Sequence, residues 1–159
     1  MRLILIRGLP GSGKTTLGKK WAGKHCYAAD DFFYLLGNGQ YNFDPTRLPE
    51  AHEYCQTLVL RDMALEVPVI SVANTFTQEW ELQAYAIMCT TQNYKLEIVD
   101  LYDAGLSDEQ LADRNTHDVP IESIRRMRDR YERKLTSFDQ LQKLKEEYGE
   151  DATAADIMS

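Results

Sequence analysis

Short apolar segments alternate with longer segments of helical spacing along the chain. Four segments have the apolar, β-branched character of buried parallel strands, and they cover residues 3–6, 25–29, 67–73 and 94–101. Helical spacing predicts helices over 14–24 and 49–66, with a turn at 37–39. Strands that alternate with helices imply right-handed crossovers and a parallel sheet covered on both faces. The pattern therefore predicts an α/β fold.

A further helix is predicted after the third strand, where Thr77 can serve as the N-cap. Its apolar residues recur at helical spacing. They are Trp80, Ala84, Ile87 and Met88. We expect these four side chains to form the inner face of the helix.

Three helical segments complete the chain. Ser107 opens a capping box, and its helix is expected to end near Asn115. Pro120 suits the first turn of the next helix, whose apolar side holds Ile121, Ile124, Met127, Tyr131 and Leu135. A second capping box at 137–140 predicts a last helix to about residue 148. We therefore predict one domain over 1–148 and a frayed acidic tail over 149–159.

The glycine-rich segment after the first strand satisfies the pattern G-x-x-x-x-G-K-[ST] in full. It contains Gly8, Leu9, Pro10, Gly11, Ser12, Gly13, Lys14 and Thr15, followed by Thr16. Glycines let backbone N–H groups turn inward around phosphate oxygens, and the following helix adds its positive end. Lys14 would bridge the β- and γ-phosphates, and the Thr15 hydroxyl would ligate Mg²⁺. The motif therefore predicts a site for ATP and Mg²⁺.

The composition indicates one globular domain without a broad basic surface. Of 159 residues, 43% are hydrophobic and 27% are charged, and Lys and Arg total 18 against 25 Asp and Glu, a net charge of −7. That charge disfavours non-specific binding of a nucleic acid duplex but leaves room for a small basic site. Scattered cysteines and histidines predict reduced thiols and no zinc site. No apolar run suits a membrane span, so we expect a cytoplasmic protein.

Adjacent carboxylates, Asp30 and Asp31, directly follow the second predicted strand. The carboxyl ends of parallel strands meet at the ligand crevice of an open sheet. One carboxylate there could accept the proton of an attacking hydroxyl, as a kinase requires. Solvated loop acids, or groups in the outer sphere of Mg²⁺, are an equally open interpretation.

Two basic features lie in the last third of the chain. Arg114, at the end of the helix that Ser107 opens, could swing onto a transferring phosphoryl group. An ordinary surface arginine at a helix C-terminus is the simpler interpretation of that residue. The basic run over 125–134, interrupted by Asp129 and Glu132, is more typical of a solvated helix face than of a nucleic-acid footprint.

Several segments together match the motifs of a known family. They are residues 7–16, 29–33, 50–53, 74–75, 114–115 and 130–132. On these residues the chain resembles the polynucleotide 5′-hydroxyl kinase and NEDD-binding-protein-like family of AAA-type P-loop kinases. The resemblance extends over about residues 1–135 and implies a P-loop kinase fold, in which a parallel sheet is flanked by helices, with a helical lid and C-terminal helices.

The resemblance also implies roles for individual residues. Asp30 would be the general base and would help to hold Mg²⁺, and Arg114 would be the lid arginine on the transferring phosphate. Lys14 would act on the same phosphate from the P-loop. The candidates for acceptor binding are Asp31, Phe33, Asn74 and Arg130.

This chain departs from the family pattern at three positions. Ala73 stands where many relatives have an acid that supports Mg²⁺, so Asp30 or water must supply that support. Phe33 stands where phage members have a basic residue. The stretch 115–120 lacks the second lid arginine of those enzymes, and His117 could substitute for it. These departures bear on the acceptor more than on the reaction.

The predicted reaction is transfer of the γ-phosphoryl group of ATP to a hydroxyl, with a nucleic-acid 5′-hydroxyl end as the favoured acceptor. The nucleic acid would be bound as a single strand, an end or an exposed base. Alternatives are a hydroxymethyl-pyrimidine base in DNA, as in a phage-infected host, a nucleotide or small metabolite, and an ATP-binding module with weak catalysis. Aromatic residues near the paired acids could stack on a base or pack in the core; they are Phe32, Phe33, Tyr34, Tyr41 and Phe43.

Overall fold

The computed structural model describes residues 1–136 and contains a four-stranded parallel sheet. The strands are β1 (Arg2–Gly8), β2 (Cys26–Tyr27), β3 (Val69–Asn74) and β4 (Lys95–Tyr102), in the spatial order β2-β3-β1-β4. All strand pairs are parallel, so the α/β prediction is confirmed. The helix predicted over 137–148 and the tail over 149–159 lie outside the described residues.

Within residues 1–136, six α-helices connect and cover the strands. They are α1 (Lys14–Ala22), α2 (Asp30–Leu36), α3 (Leu48–Ala64), α4 (Gln83–Gln92), α5 (Asp108–Arg114) and α6 (Ile121–Arg130). Short 3₁₀ turns occupy Gly23–His25, Pro45–Arg47 and Glu79–Leu82. None of the helices in the described part of the chain is long and apolar enough to cross a membrane.

β1 lies in the centre of the sheet because it is apolar on both faces. Leu3, Leu5 and Ile6 are completely buried, and the strand pairs with β3 on one side and β4 on the other. The larger core packs side chains of α3 and α4 against β1 and β3. α1 lies close to the sheet at Gly18, where a Cβ atom would be 2.6 Å from Cys26 Sγ. This packing fixes the start of α1 beside the end of β1.

The helix after β3 begins differently from the prediction. Gln78, not Thr77, caps a 3₁₀ turn in a capping box with Glu81, and α4 follows that turn. Trp80 and Ile87 are 67% and 62% exposed, so the predicted inner face is wrong at these two residues, whereas Met88 is buried as predicted. The 3₁₀ turn has three residues per turn, which shifts the phase of the helix. The buried side chains are therefore Leu82, Tyr85, Met88 and Cys89.

The paired acids begin a helix instead of lying in a loop. Asp30 and Asp31 form the first turn of α2, where the positive end of the helix dipole favours carboxylates. The Ala28 N–H donates to Asp31 Oδ2 at 2.9 Å, which ties that side chain to the preceding backbone. β2 is correspondingly shorter than the predicted strand, at two residues.

Arg7 is a completely buried arginine at the end of β1. Its guanidinium donates to Phe76 O at 2.7 and 2.9 Å, to Glu132 O at 2.8 Å and to Asp100 Oδ2 at 3.2 Å. It also lies over the ring of Tyr131, 4.2 Å from the ring centroid. These contacts connect the end of β3 and the segment after α6 to the central strand.

The segment from α5 to the end of α6, residues 108–130, is called the lid below. Its predicted capping box is confirmed, since Ser107 and Gln110 bond to each other's backbone. Two arginines of α6 are paired with acids of α5 and of the loop before it: Arg125 pairs with Asp108 and Glu109, and Arg128 with Asp103 and Asp108. These pairs agree with the interpretation of the basic run as a helix face that is not a nucleic-acid footprint.

Candidate active site

The P-loop forms an open backbone turn between β1 and α1. Gly11 and Gly13 have φ values of +84° and +97°, a region that favours glycine. No atom lies within 4 Å of a Cβ built on Gly13, so the nest is open on that side. A Cβ on Gly11 would lie 2.5 Å from Leu111 O in α5. The lid therefore rests directly on the P-loop backbone.

Two side chains of this turn are prepared for a phosphate chain. Ser12 Oγ is buried and has no hydrogen-bond partner within residues 1–136, which is costly unless a ligand supplies one. Lys14 Nζ donates to Leu9 O at 3.0 Å. Burial lowers the pKa of Lys14 to about 8, although the negative charge of Asp30 acts in the opposite direction. An unsatisfied hydroxyl and a buried amine fit the phosphates of a nucleotide.

Asp30 has a partner on each of its carboxylate oxygens. Tyr41 donates its hydroxyl to Oδ1 at 2.8 Å, and His117 Nδ1 lies 3.2 Å from Oδ2. Burial, followed by the charge of Asp30, raises the pKa of Tyr41 well above its ordinary value, so the hydroxyl keeps its proton. The side chain of Asp30 is 41% exposed. It can therefore be reached from solvent although it is paired.

Arg114 lies at an open cleft of about 410 Å³ beside the P-loop. The cleft is lined by Ser12, Gly13, Thr16, Leu17, Lys20, Leu101 and Arg114. Arg114 is exposed and makes no hydrogen bond or ion pair with any of the 136 residues described. It differs in this from Arg125 and Arg128, which are paired. A cation without a partner beside the phosphate nest is available to a ligand.

Three of the acceptor-binding candidates have supporting or packing roles in the structure. Asn74 Oδ1 accepts from the Ala29 N–H at 2.9 Å, so it holds the backbone directly before Asp30. Phe33 is completely buried, which corrects the expectation that its ring is available to a substrate. Arg130 Nε donates to Thr77 Oγ1 at 3.3 Å. The fourth candidate, Asp31, is bound to the backbone as described above.

Sequence reasoning did not assign a site role to Asn115, and it offered Tyr41 only as one of five aromatic residues that could stack on a base or pack in the core. Asn115 Oδ1 accepts from the N–H groups of His117 and Val119, at 3.3 and 2.8 Å, and Nδ2 donates to Ala112 O at 2.8 Å. Asparagine commonly builds such turns through its side chain, and this one presents His117 to Asp30. The signal available in the sequence was an asparagine directly after a helix.

The chain matches a known family and a human protein. The family model described as an AAA domain matches residues 3–134. NEDD4-binding protein 2 from Homo sapiens is 36% identical over 137 residues, which cover 82% of this chain and 8% of the human protein. The chain therefore spans less than a tenth of the length of this relative.

Proposed function

Because the chain belongs to this AAA domain family, whose character is that of P-loop kinases, we propose that it is an ATP-dependent phosphotransferase. The proposed acceptor is a 5′-hydroxyl group at a single-stranded end of a nucleic acid. One observation carries the proposal: the carboxylate of Asp30 lies near enough to the P-loop for its charge to act on Lys14. A base and a phosphate-binding cation in one site are what hydroxyl phosphorylation needs.

In the proposed reaction the acceptor hydroxyl gives its proton to Asp30. The acceptor oxygen forms a bond to the γ-phosphorus as the bond between that phosphorus and the β,γ-bridging oxygen breaks, and ADP leaves. Lys14 of the P-loop and Arg114, which lies at the cleft beside it, would stabilise the charge on the transferring group. The two cations belong to different elements: Lys14 to the P-loop and Arg114 to the lid.

The residues also fit Mg²⁺, which would neutralise phosphate charge when bound. Thr15 is exposed at the start of α1, and its hydroxyl would be the protein ligand. Residues 1–136 contain no group of three His, Cys, Asp or Glu side chains that could hold a metal. Such a sparse site suits Mg²⁺, which keeps several waters and binds substrate phosphates. Asp30 is the carboxylate that can support it in the absence of an acid at Ala73.

A nucleic-acid end is favoured as the acceptor by the surroundings of Asp30. The rings of Tyr34, Tyr41 and His117 lie together at this carboxylate, and aromatic side chains stack on unpaired bases. The net charge of −7 disfavours an extended phosphate-binding surface. A site that contacts one or two nucleotides at an end reconciles the two observations.

Replacing Asp30 with asparagine is expected to lower the rate of γ-phosphate transfer by about 10²- to 10⁴-fold, because the amide cannot accept the proton. ATP binding should persist, since the P-loop is unchanged. The measurement is transfer of labelled γ-phosphate together with ATP affinity. Asp129→Asn changes an exposed carboxylate on α6 and is the matched control. Wild-type transfer by the Asp30 variant would show that this carboxylate is not the base.

An acceptor panel tests the substrate class. It contains single-stranded DNA and RNA with 5′-hydroxyl ends, DNA with a hydroxymethyl-pyrimidine base and free nucleosides. We expect label only on the 5′ ends of the oligonucleotides. Label on the modified base, or on nucleosides alone, would reassign the acceptor, and ATP binding without any transfer would indicate a binding module.

Nucleotide binding should be accompanied by proton uptake at alkaline pH. Lys14 has a pKa of about 8 in the structure, so it loses its proton as the pH rises through that value, and bound phosphates favour its charged form. Calorimetric titration with ADP in buffers of different ionisation enthalpy should show uptake that grows from about pH 7 to about pH 9. Lys24→Met, on the exposed 3₁₀ turn, should keep this uptake. If the wild type takes up no proton on binding ADP near pH 8.5, Lys14 does not gain a proton from nucleotide binding and the prediction is wrong.

A further inference from the structure

An aromatic ring of the lid lies on the acceptor side of Asp30. The ring of His117 is stacked on Tyr41, with the centroids 4.5 Å apart and the planes inclined by 28°. Tyr34 makes an edge contact with the same imidazole, with 5.7 Å between the ring centroids. The imidazole Nδ1 faces Asp30 Oδ2 at 3.2 Å. A flat nitrogen heterocycle therefore already lies against the Tyr41 ring and next to the carboxylate.

An acceptor whose hydroxyl comes within about 2.6–3.2 Å of Asp30 from the aromatic side meets Tyr41 and His117, the two partners of that carboxylate. Tyr41 is held by ring contacts with Phe33 and Tyr34, at 6.0 and 5.2 Å. His117 contacts Asp30 and Tyr41 through its ring alone, so rotation of its side chain would release both residues while the backbone turn of the lid stays intact. The histidine is thus the partner that can move.

Withdrawal of His117 would leave one face of the Tyr41 ring open beside Asp30, the proposed catalytic base. The surface that becomes accessible is a ring face bordered by Tyr34 on one side and the Asp30 carboxylate on the other. A planar base fits such a face, and the hydroxyl of the same nucleotide would then lie at Asp30. Like a nucleic-acid base, the His117 imidazole is a flat aromatic ring that contains nitrogen, although it is smaller.

We propose, on the premise of the function proposed above, that Tyr41 is the stacking platform for the base of the terminal acceptor nucleotide, and that His117 occupies this platform until an acceptor displaces it. Tyr41 is then a residue that binds substrate, and His117 is a competitor supplied by the chain itself. Base stacking on one aromatic ring changes binding by about 5- to 150-fold. The acceptor must carry a base at its 5′ nucleotide.

Binding is measured with a 5′-hydroxyl oligonucleotide that carries 2-aminopurine at its first position, whose fluorescence falls when the base stacks. The wild type should quench this probe. An otherwise identical oligonucleotide with an abasic first position should compete about 5- to 150-fold less well. This comparison uses the wild-type protein alone, so it does not depend on the folding of any variant.

Variants assign the platform to Tyr41. Tyr41→Leu should lose the quenching and the preference for a base, whereas Tyr41→Phe, which keeps the ring but not the hydroxyl, should retain both. His117→Ala should bind the probe several-fold more tightly because the competitor is gone. Trp80→Leu and His52→Ala, which change an exposed indole and a histidine of α3, are the matched controls and should behave like the wild type.

The binding and transfer results separate this inference from the proposed function. Transfer of phosphate to 5′ ends with equal binding of base-bearing and abasic ends would overturn the platform and leave the kinase. Quenching that requires the Tyr41 ring, without transfer to any 5′ end, would support the platform and overturn the kinase. Absence of both quenching and transfer would overturn the two together.

Discussion

Replacement of Arg114 by glutamine is expected to lower the turnover number for phosphoryl transfer by about 10³-fold or more, with little change in ATP affinity. Arg114 has no partner within residues 1–136 and lies at the cleft beside Ser12 and Gly13. Its charge can therefore be directed to the phosphoryl group in the transition state without breaking an existing ion pair. An interaction made mainly in that state raises the turnover number more than it raises affinity.

Two quantities are measured for each variant: the maximal rate of phosphoryl transfer and the dissociation constant of ATP. Arg126→Gln is the matched control, because Arg126 is also exposed and, within residues 1–136, its side chain hydrogen-bonds only to Ser123. Arg114→Lys should recover part of the rate, since lysine keeps the charge but not the planar fork. Equal rates for the Arg114 and Arg126 glutamine variants would remove Arg114 from the mechanism.

Replacement of Arg7 by methionine is expected to lower the free energy of unfolding by about 3–5 kcal/mol. The guanidinium is completely buried, and its removal would leave the carbonyl oxygens of Phe76 and Glu132 without this donor. Each buried group left unsatisfied costs about 1–3 kcal/mol. Methionine fills a similar volume, so the effect reports on the lost hydrogen bonds more than on a cavity.

Urea denaturation monitored by circular dichroism measures this change, with Arg2→Met as the matched control. Arg2 begins the same strand and pairs with Glu97 at 3.0 Å, but its side chain is 43% exposed. A surface pair of this kind contributes about 0–1 kcal/mol. Similar losses for the two variants would show that the contacts of Arg7 do not stabilise the fold.

The strands and the P-loop could be predicted because local patterns encode them. A buried parallel strand is an apolar run, and a phosphate nest needs glycines at fixed spacing. The face of α4 could not be read in this way. The phase of a helix depends on where it starts, and the 3₁₀ turn before Gln83 moved that start. Thr77 is also the more usual kind of N-cap residue, since threonine is a preferred cap and glutamine is not.

The candidate site was predictable only in part. Lys14 belongs to a contiguous motif. Asp30 and Arg114 were candidates from their positions after a strand and at the end of a helix, and the family resemblance implied their specific roles. Tyr41 and His117 are distant in the chain, and no periodicity or motif connects them, so their stacking at Asp30 required the tertiary structure. The burial of Phe33 likewise follows from how α2 packs against α3.

The position of β1 in the sheet has a consequence for the order in which this protein can fold. Arg2 pairs with Val69 on one side and with Lys95 on the other, so β1 is synthesised before both of the strands with which it pairs. Contacts of such sequence separation slow folding. During synthesis the apolar segment from Leu3 to Ile6 stays without its neighbours, which makes early nascent chains candidates for chaperone binding.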